Sequence, residues 1–388
     1  MLNLLWLLLP VAAAAGWFAG RNGAVSGSND AYWKYTSNFH KGLSQLFNDR
    51  QANPSELFEN LEDSDRDTAD THLALGNLYR RRGEVDKAIL LHESLLAKPE
   101  LGDEVAAAAR YELARDYDSA GLLDRSETIF RELIDRGQRV EDATTSLLQL
   151  HERERDWSAA IEVASQLAKV SGEPRNDLVA HYLCEMAVQA EKDGYADQAP
   201  ELLHKALKEN ESCARAHMAL ATIAIAQGDS NTAINHLDRV ETHRPELMPE
   251  IIQGRFKALI QSDDKNALQE FIKRIQSQRN AYSVIRTTRG VIEEHYGHEP
   301  ADKFFKEQIL KRPSLKGLRD WAQDQLELSK PGERDKVAVI CSMLDQVVED
   351  KPTYQCEHCG FRGNVLHWRC PSCGTWDSVQ PIIGVEGE

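Results

Sequence analysis

The sequence predicts an all-α chain: a superhelical solenoid of stacked helical hairpins, with an N-terminal transmembrane helix before it and a small metal-binding domain after it. Three observations predict this. The first twenty residues contain no ionisable side chain. A small residue recurs in the body at 34-residue steps, as Ala199, Ala233, Ala267 and Ala301. Four of the seven cysteines, Cys356, Cys359, Cys370 and Cys373, fall in the last 35 residues. The composition agrees. Hydrophobic residues at 41% and charged ones at 28% describe a folded body, and at ~150 residues per domain 388 residues make two or three units. Sixty-two acidic against 46 basic side chains leave a net charge of −16, which repels phosphate backbones and argues against a nucleic-acid partner.

Residues 1–20 read MLNLLWLLLPVAAAAGWFAG. At ~1.5 Å per residue such a helix is about 30 Å long, the thickness of a hydrocarbon core. Trp6, Trp17 and Phe18 suit the interfaces, and Pro10 is better tolerated in a membrane helix than in a soluble one. The rival reading is a cleaved signal peptide, since Ala12 to Ala15 supplies A-x-A sites. The absence of Lys and Arg before the apolar run, and its continuation past Pro10, favour a retained anchor. Arg21, Lys34 and Lys41 follow the segment and no basic side chain precedes it, so the positive-inside rule puts the body in the cytoplasm. Clustered rather than framework-spaced cysteines suit the same reducing compartment. Residues 21–31 form a linker, of which RNGAVSGSN spans roughly 15–18 Å as flexible coil.

The array is placed at residues 32–350. Its clearest unit runs from Thr71 to Pro99 and carries Leu75-Gly76, Tyr79, Gly83, Ala88 and Pro99. This resembles the tetratricopeptide pattern of two helices per repeat of about 34 residues. The key small residue of the second helix recurs at Ser126, Ala160, Ala199, Ala233, Ala267 and Ala301. Longer steps at two points predict insertions near Leu101–Glu104 and Ser171–Arg175. Gly83, Gly121, Gly194 and Gly228 each precede the small residue by five positions, whereas Arg155 and Tyr296 occupy that slot in two repeats. Small residues belong where helix backbones approach closely, so Gly76, Ala114 and Ala221 are expected to face Ala88, Ser126 and Ala233. One hairpin cannot bury its apolar face alone, so neighbours stack and leave a concave surface suited to a peptide or a protein. Asn77, Arg80 and Arg81 are expected on that surface. Tyr32 to Asp63 is expected to form a degenerate first hairpin, and Gly317 to Glu349 the last helical pair, broken at Ser329-Lys330-Pro331-Gly332.

Residues 354–388 form the metal-binding domain. Cys356-Glu357-His358-Cys359-Gly360 and Cys370-Pro371-Ser372-Cys373-Gly374 are two knuckles in which paired thiolates point at one ion, with Gly360 and Gly374 permitting the turn. The knuckles resemble those of rubredoxin, with a shorter gap between them, which disfavours a redox role. Iron and zinc both suit four thiolates. Tyr354, Phe361, Trp368 and Trp376 are expected to pack around the ion, while His358 and His367 are poorer ligand candidates. Lys351-Pro352-Thr353 is a short link, so the module is expected to dock on the final repeats. Cys184, Cys213 and Cys341 read as buried small apolar residues. No phosphate-binding glycine loop, zinc-protease helix motif or nucleophile elbow is present, so the chain is read as no enzyme.

An anchor, a tetratricopeptide array and a rubredoxin-type end, in that order, resemble the lipopolysaccharide assembly protein B family of Gram-negative bacteria. Leu73–Ile89 and Cys356–Trp376 carry the resemblance most specifically. It implies a non-enzymatic, single-pass inner-membrane adaptor with a cytoplasmic body. It also implies regulation of lipid A synthesis through turnover of the deacetylase LpxC by the membrane protease FtsH, with other inner-membrane lipopolysaccharide assembly proteins as further partners. On the same resemblance the ion on Cys356, Cys359, Cys370 and Cys373 is iron. A periplasmic assembly factor and a rubredoxin-like electron carrier are the alternative readings.

Overall fold

The computed structural model describes residues 66–99, 101–349 and 351–385. The predicted anchor, linker and first hairpin lie outside these residues. No helix among the described residues is long and apolar enough to cross a membrane.

The described residues form a helical tetratricopeptide solenoid followed by a small β-ribbon. Two compact units divide at Glu112/Leu113. The first contains α1 (Arg66–Arg81), α2 (Val85–Leu96) and the start of α3 (Asp103–Ser119). Leu75, Tyr79 and Ala88 are buried together, and Ala69, Leu95 and Ala109 form a neighbouring cluster. Gly76 lies against His92 rather than Ala88: a Cβ on Gly76 would sit 2.3 Å from His92 Nε2. The glycine therefore makes room for an imidazole one turn further along α2. Arg80 is half-buried rather than exposed. Its guanidinium bonds Glu112 at 2.6 Å and Asn77 at 2.5 Å, with 9% of its side chain exposed.

The second unit contains α4 (Leu123–Asp135), α5 (Val140–Glu154), α6 (Trp157–Ser171), α7 (Asn176–Lys192), α8 (Ala199–Glu209), α9 (Ala214–Gln227), α10 (Ser230–His243), α11 (Met248–Gln261), α12 (Lys265–Ser277), α13 (Tyr282–Tyr296), α14 (His298–Lys311), α15 (Leu315–Leu328) and α16 (Pro331–Glu349). Ser126, Ala160, Ala199, Ala233 and Ala301 are fully buried at the hairpin seams. Ser126 shows how close the seam is, because its hydroxyl donates to the Ala114 carbonyl at 2.8 Å. The inter-helix turns need a left-handed residue. Gly121, Gly194 and Gly228 supply it, and Arg155 adopts it at φ 60°. In two later repeats the left-handed residue sits one position further on, at Asp263 and Gly297, so Tyr296 closes its helix normally. In the first of these repeats Ala267 is only partly buried and Leu268 enters the core, whereas in the second Ala301 keeps its place. An aspartate that follows the turn caps the next helix: Asp156 accepts from Ala159 N–H at 3.1 Å and Asp229 from Thr232 N–H at 3.1 Å.

The ribbon is a three-stranded antiparallel sheet of β1 (Tyr354–Cys356), β2 (Arg362–Gly363) and β3 (Val379–Pro381), with β1 in the centre. Tyr354 pairs with Gly363 on one side and with Pro381 on the other. Cys184, Cys213 and Cys341 are buried within or at the start of helices, as read from the sequence.

Candidate metal centre

Each knuckle is built by its own backbone. The N–H of Gly360 donates to the Cys356 carbonyl at 2.9 Å, and the N–H of Gly374 to the Cys370 carbonyl at 2.9 Å. Both glycines are left-handed, at φ 77° and 74°, where a side chain would be strained. The amides of Cys356 and Cys370 then bond the Phe361 and Thr375 carbonyls, at 2.8 and 2.9 Å. The two loops are near-copies of each other, and the sheet holds them face to face.

The four sulfurs lie within 4.8 Å of one another. Cys356 Sγ is 3.8 Å from Cys373 Sγ, and Cys359 Sγ is 3.7 Å from Cys370 Sγ. A tetrahedron with metal–sulfur bonds of ~2.3 Å has edges of about 3.8 Å, so the donor set fits one thiophilic ion. His358 and His367 are not part of the group. Hydrogen bonding prepares two of the thiols for deprotonation. The Thr375 hydroxyl and N–H draw the Cys373 thiol down to about 5, and the Ser378 hydroxyl, 3.3 Å from Cys356 Sγ, draws that thiol down as well. Burial pushes Cys370 up to about 11. A bound cation would offset that penalty, because metal ligation requires the thiolate. Cys359 lies on the solvent side and Cys356 and Cys370 on the buried side.

Tyr354 and Phe361 pack around the cysteines, with Val379 and Leu366. Trp368 and Trp376 do not, contrary to expectation. Both point at the helical array. Trp368 and Leu366 pack on a cluster that includes Leu237, Leu247 and Ile251. Trp376 stacks on His181 at 5.2 Å and meets Tyr182 edge-on at 5.7 Å. Its indole N–H donates to Glu152 Oε1 at 2.8 Å, the Tyr182 hydroxyl donates to the same oxygen at 2.5 Å, and Arg369 donates to Glu152 Oε2 at 2.8 Å. Glu152 is thus a buried carboxylate with donors from both partners. Removing it would strand three of them, at a cost of about 3–5 kcal/mol for breaking a buried charge pair. Arg244 with Asp377, and the Tyr354 hydroxyl with Glu250, add two more bridges.

The module therefore docks, chiefly on α5, α7, α10 and α11; of the final repeats it touches α15, where the Leu315 N–H donates to the Val385 carbonyl at 2.9 Å. The short link to α16 limits where the ribbon begins, while its outer face chooses the partner helices. Sequence reasoning missed Glu152, His181, Arg244 and Glu250. They lie about one hundred to more than two hundred positions from the knuckles, and no spacing rule connects them.

Comparison with known proteins follows the same division. Residues 354–381 match the family described as rubredoxin metal binding domain, and residues 71–104 and 186–246 match tetratricopeptide repeat families. Lipopolysaccharide assembly protein B of Escherichia coli (strain K12) is 32% identical over 388 residues, covering 100% of both chains. The protein of the same name from Haemophilus influenzae is 28% identical over 395 residues, again covering 100% of each. Among solved structures, MamA of AMB-1 is 15% identical with a TM-score of 0.30, covering 45% of this chain and 91% of that one.

Proposed function

The chain belongs to the lipopolysaccharide assembly protein B family, and from that premise we propose that it is a non-enzymatic inner-membrane adaptor that regulates lipid A synthesis by delivering the deacetylase LpxC to the membrane protease FtsH. Full-length identity to relatives of that name is the observation that carries the reading. The helical repeats support it, since stacked hairpins offer a surface for other proteins and no constellation for chemistry. Residues 1–20 hold the body at the cytoplasmic face of the inner membrane. A tether of that kind turns encounters with other membrane proteins into near-intramolecular events, at effective concentrations on the order of millimolar.

Cys356, Cys359, Cys370 and Cys373 hold one metal ion. Iron follows from the family resemblance, and the sulfur geometry suits zinc equally. When bound, the ion supplies a structural cross-link between the knuckles. The residues around it then do the presenting: Arg369, Trp376 and Asp377 fix the ribbon to the array through Glu152, His181 and Arg244.

The test is the lifetime of LpxC after protein synthesis is stopped, in cells that lack their own copy of this protein. The full chain should restore rapid turnover, and a chain lacking residues 1–20 should not. A lifetime that ignores the full chain refutes the reading, and full activity of the truncated chain refutes the tether.

A further inference from the structure

A second concavity lies apart from the ribbon. It is a groove of about 1130 Å³ lined by α11, α13 and α15. Its charge is opposite to that of the whole molecule. In a chain of net charge −16, the groove walls carry Lys257, Arg286, Lys316 and Arg319 against one acid, Glu294. Asp320 just outside satisfies Arg319 at 2.9 Å, but it stands 3.8 Å from Arg286, whose side chain is 67% exposed.

Two further observations point to something that enters this groove. Gly290 lies inside α13, where glycine costs about 1 kcal/mol relative to alanine. Neither backbone nor packing asks for it: it has no left-handed φ, and a Cβ there would meet nothing within 4 Å. The missing side chain leaves the groove open. Tyr282 lines the same groove and is 3% exposed, and its hydroxyl has no hydrogen-bond partner among the described residues. Buried tyrosine hydroxyls ordinarily find one.

We infer that this groove binds an acidic peptide segment of a partner protein, with carboxylates on Lys257, Arg286, Lys316 and Arg319, main chain over Gly290, and a polar group on the Tyr282 hydroxyl. The spread of the cations argues for a peptide over a small anion or a headgroup. Three helices at ~8–10 Å separations make a groove roughly 20 Å across, which about six extended residues span. The inference deepens the adaptor reading and rests on it only for why such a partner exists.

The test uses the full chain in detergent micelles and fluorescein-labelled peptide pools of about twelve residues, long enough to cross the groove. One pool has glutamate or aspartate at every second position and random residues elsewhere. The control pools carry glutamine or lysine instead. The acidic pool should bind in preference to both, with an affinity that falls steeply with added salt. The double substitution Arg286→Glu with Lys316→Glu should weaken binding about tenfold or more, as loss of several charge-assisted contacts does. Gly290→Trp should block the groove, whereas Gly290→Ala should raise the thermal midpoint. Tyr282→Phe should weaken binding severalfold with the fold intact. Equal binding of the glutamine pool, or unchanged binding in the double variant, would overturn the inference. So would binding that transfers to phosphatidylglycerol vesicles instead of peptides. Each outcome is independent of the LpxC lifetime, so the two readings fail separately.

Discussion

At position 181 an imidazole is kept neutral. His181 is 5% exposed, stacked on Trp376, and faces the cations of Arg215 and Arg244. Burial first, and those two cations next, lower its pKa from 6.5 to about 4. The sign follows from proton binding. Between those values the unfolded chain takes up a proton that the folded chain refuses, so the folded state loses stability as pH falls from 6.5 towards 4. The loss levels off below 4 and is about 2 kcal/mol at pH 5. Thiolate protonation at the knuckles also destabilises at low pH, so the useful comparison is with His181→Phe, which keeps a ring against Trp376 and cannot be protonated. Denaturant unfolding at pH 7 and pH 5 should show a smaller drop in the variant, by about 2 kcal/mol. Equal drops would mean that the imidazole is protonated in the folded protein. None of this was legible in the sequence, where His181 is one of 13 scattered histidines. Its environment is created by a tryptophan 195 positions away.

Among the elements, the hairpin turns show what a repeat pattern encodes and what it omits. The alternation of small residues at the seams was readable because close helix packing constrains size at fixed spacing. Ser126 and Ala160 satisfy that constraint as Ala88 does, despite unequal steps between repeats. The turn itself was only half readable. A glycine announces a left-handed residue, but the geometry survives when the glycine is replaced, as at Arg155, or when it moves by one position, as at Gly297. A fixed slot therefore marked Tyr296 as an anomaly, although the chain simply turns one residue later. Arg155 carries the cost of its substitution, since a left-handed conformation disfavours a side chain by about 1–2 kcal/mol. Part of that cost is offset in an arginine by the smaller entropy of its unfolded chain. Arg155→Gly should accordingly stabilise the protein by about 0.5–1 kcal/mol, read as a rise in denaturation midpoint at unchanged slope. A destabilised variant would show that the Arg155 side chain has a role beyond the turn.

For the molecule beyond Leu113, the metal site and the helical array share one interface, and the sequence revealed only one side of it. The knuckles declare themselves because ligand spacing is local. The docking face does not, because Trp368, Arg369 and Trp376 read equally well as packing for the ribbon's own interior. Their actual placement ties the four-cysteine site to the helices. About 35 residues bury little core without a staple, so the ribbon's order is expected to depend on an ion held by the four cysteines. The ribbon in turn satisfies Glu152 and Glu250 and covers the apolar patch at Leu237, Leu247 and Ile251. Removing the metal with a chelator, or replacing Cys356 with serine, should therefore do more than loosen the C-terminus. Helical circular dichroism should be largely retained, because the seam residues Ser126, Ala160, Ala199, Ala233 and Ala301 are buried between the helices themselves. Tryptophan emission should shift to the red as Trp368 and Trp376 leave their contacts, and the shift should shrink in a chain carrying Phe at both positions. The thermal midpoint of the array should fall by about 5–10 °C, as expected when buried donors and acceptors worth a few kcal/mol lose their partners. Restoring iron or zinc should reverse all three changes. If the emission and midpoint of the metal-depleted protein match those of the loaded one, the ribbon folds on the helices alone and the four sulfurs have no structural duty.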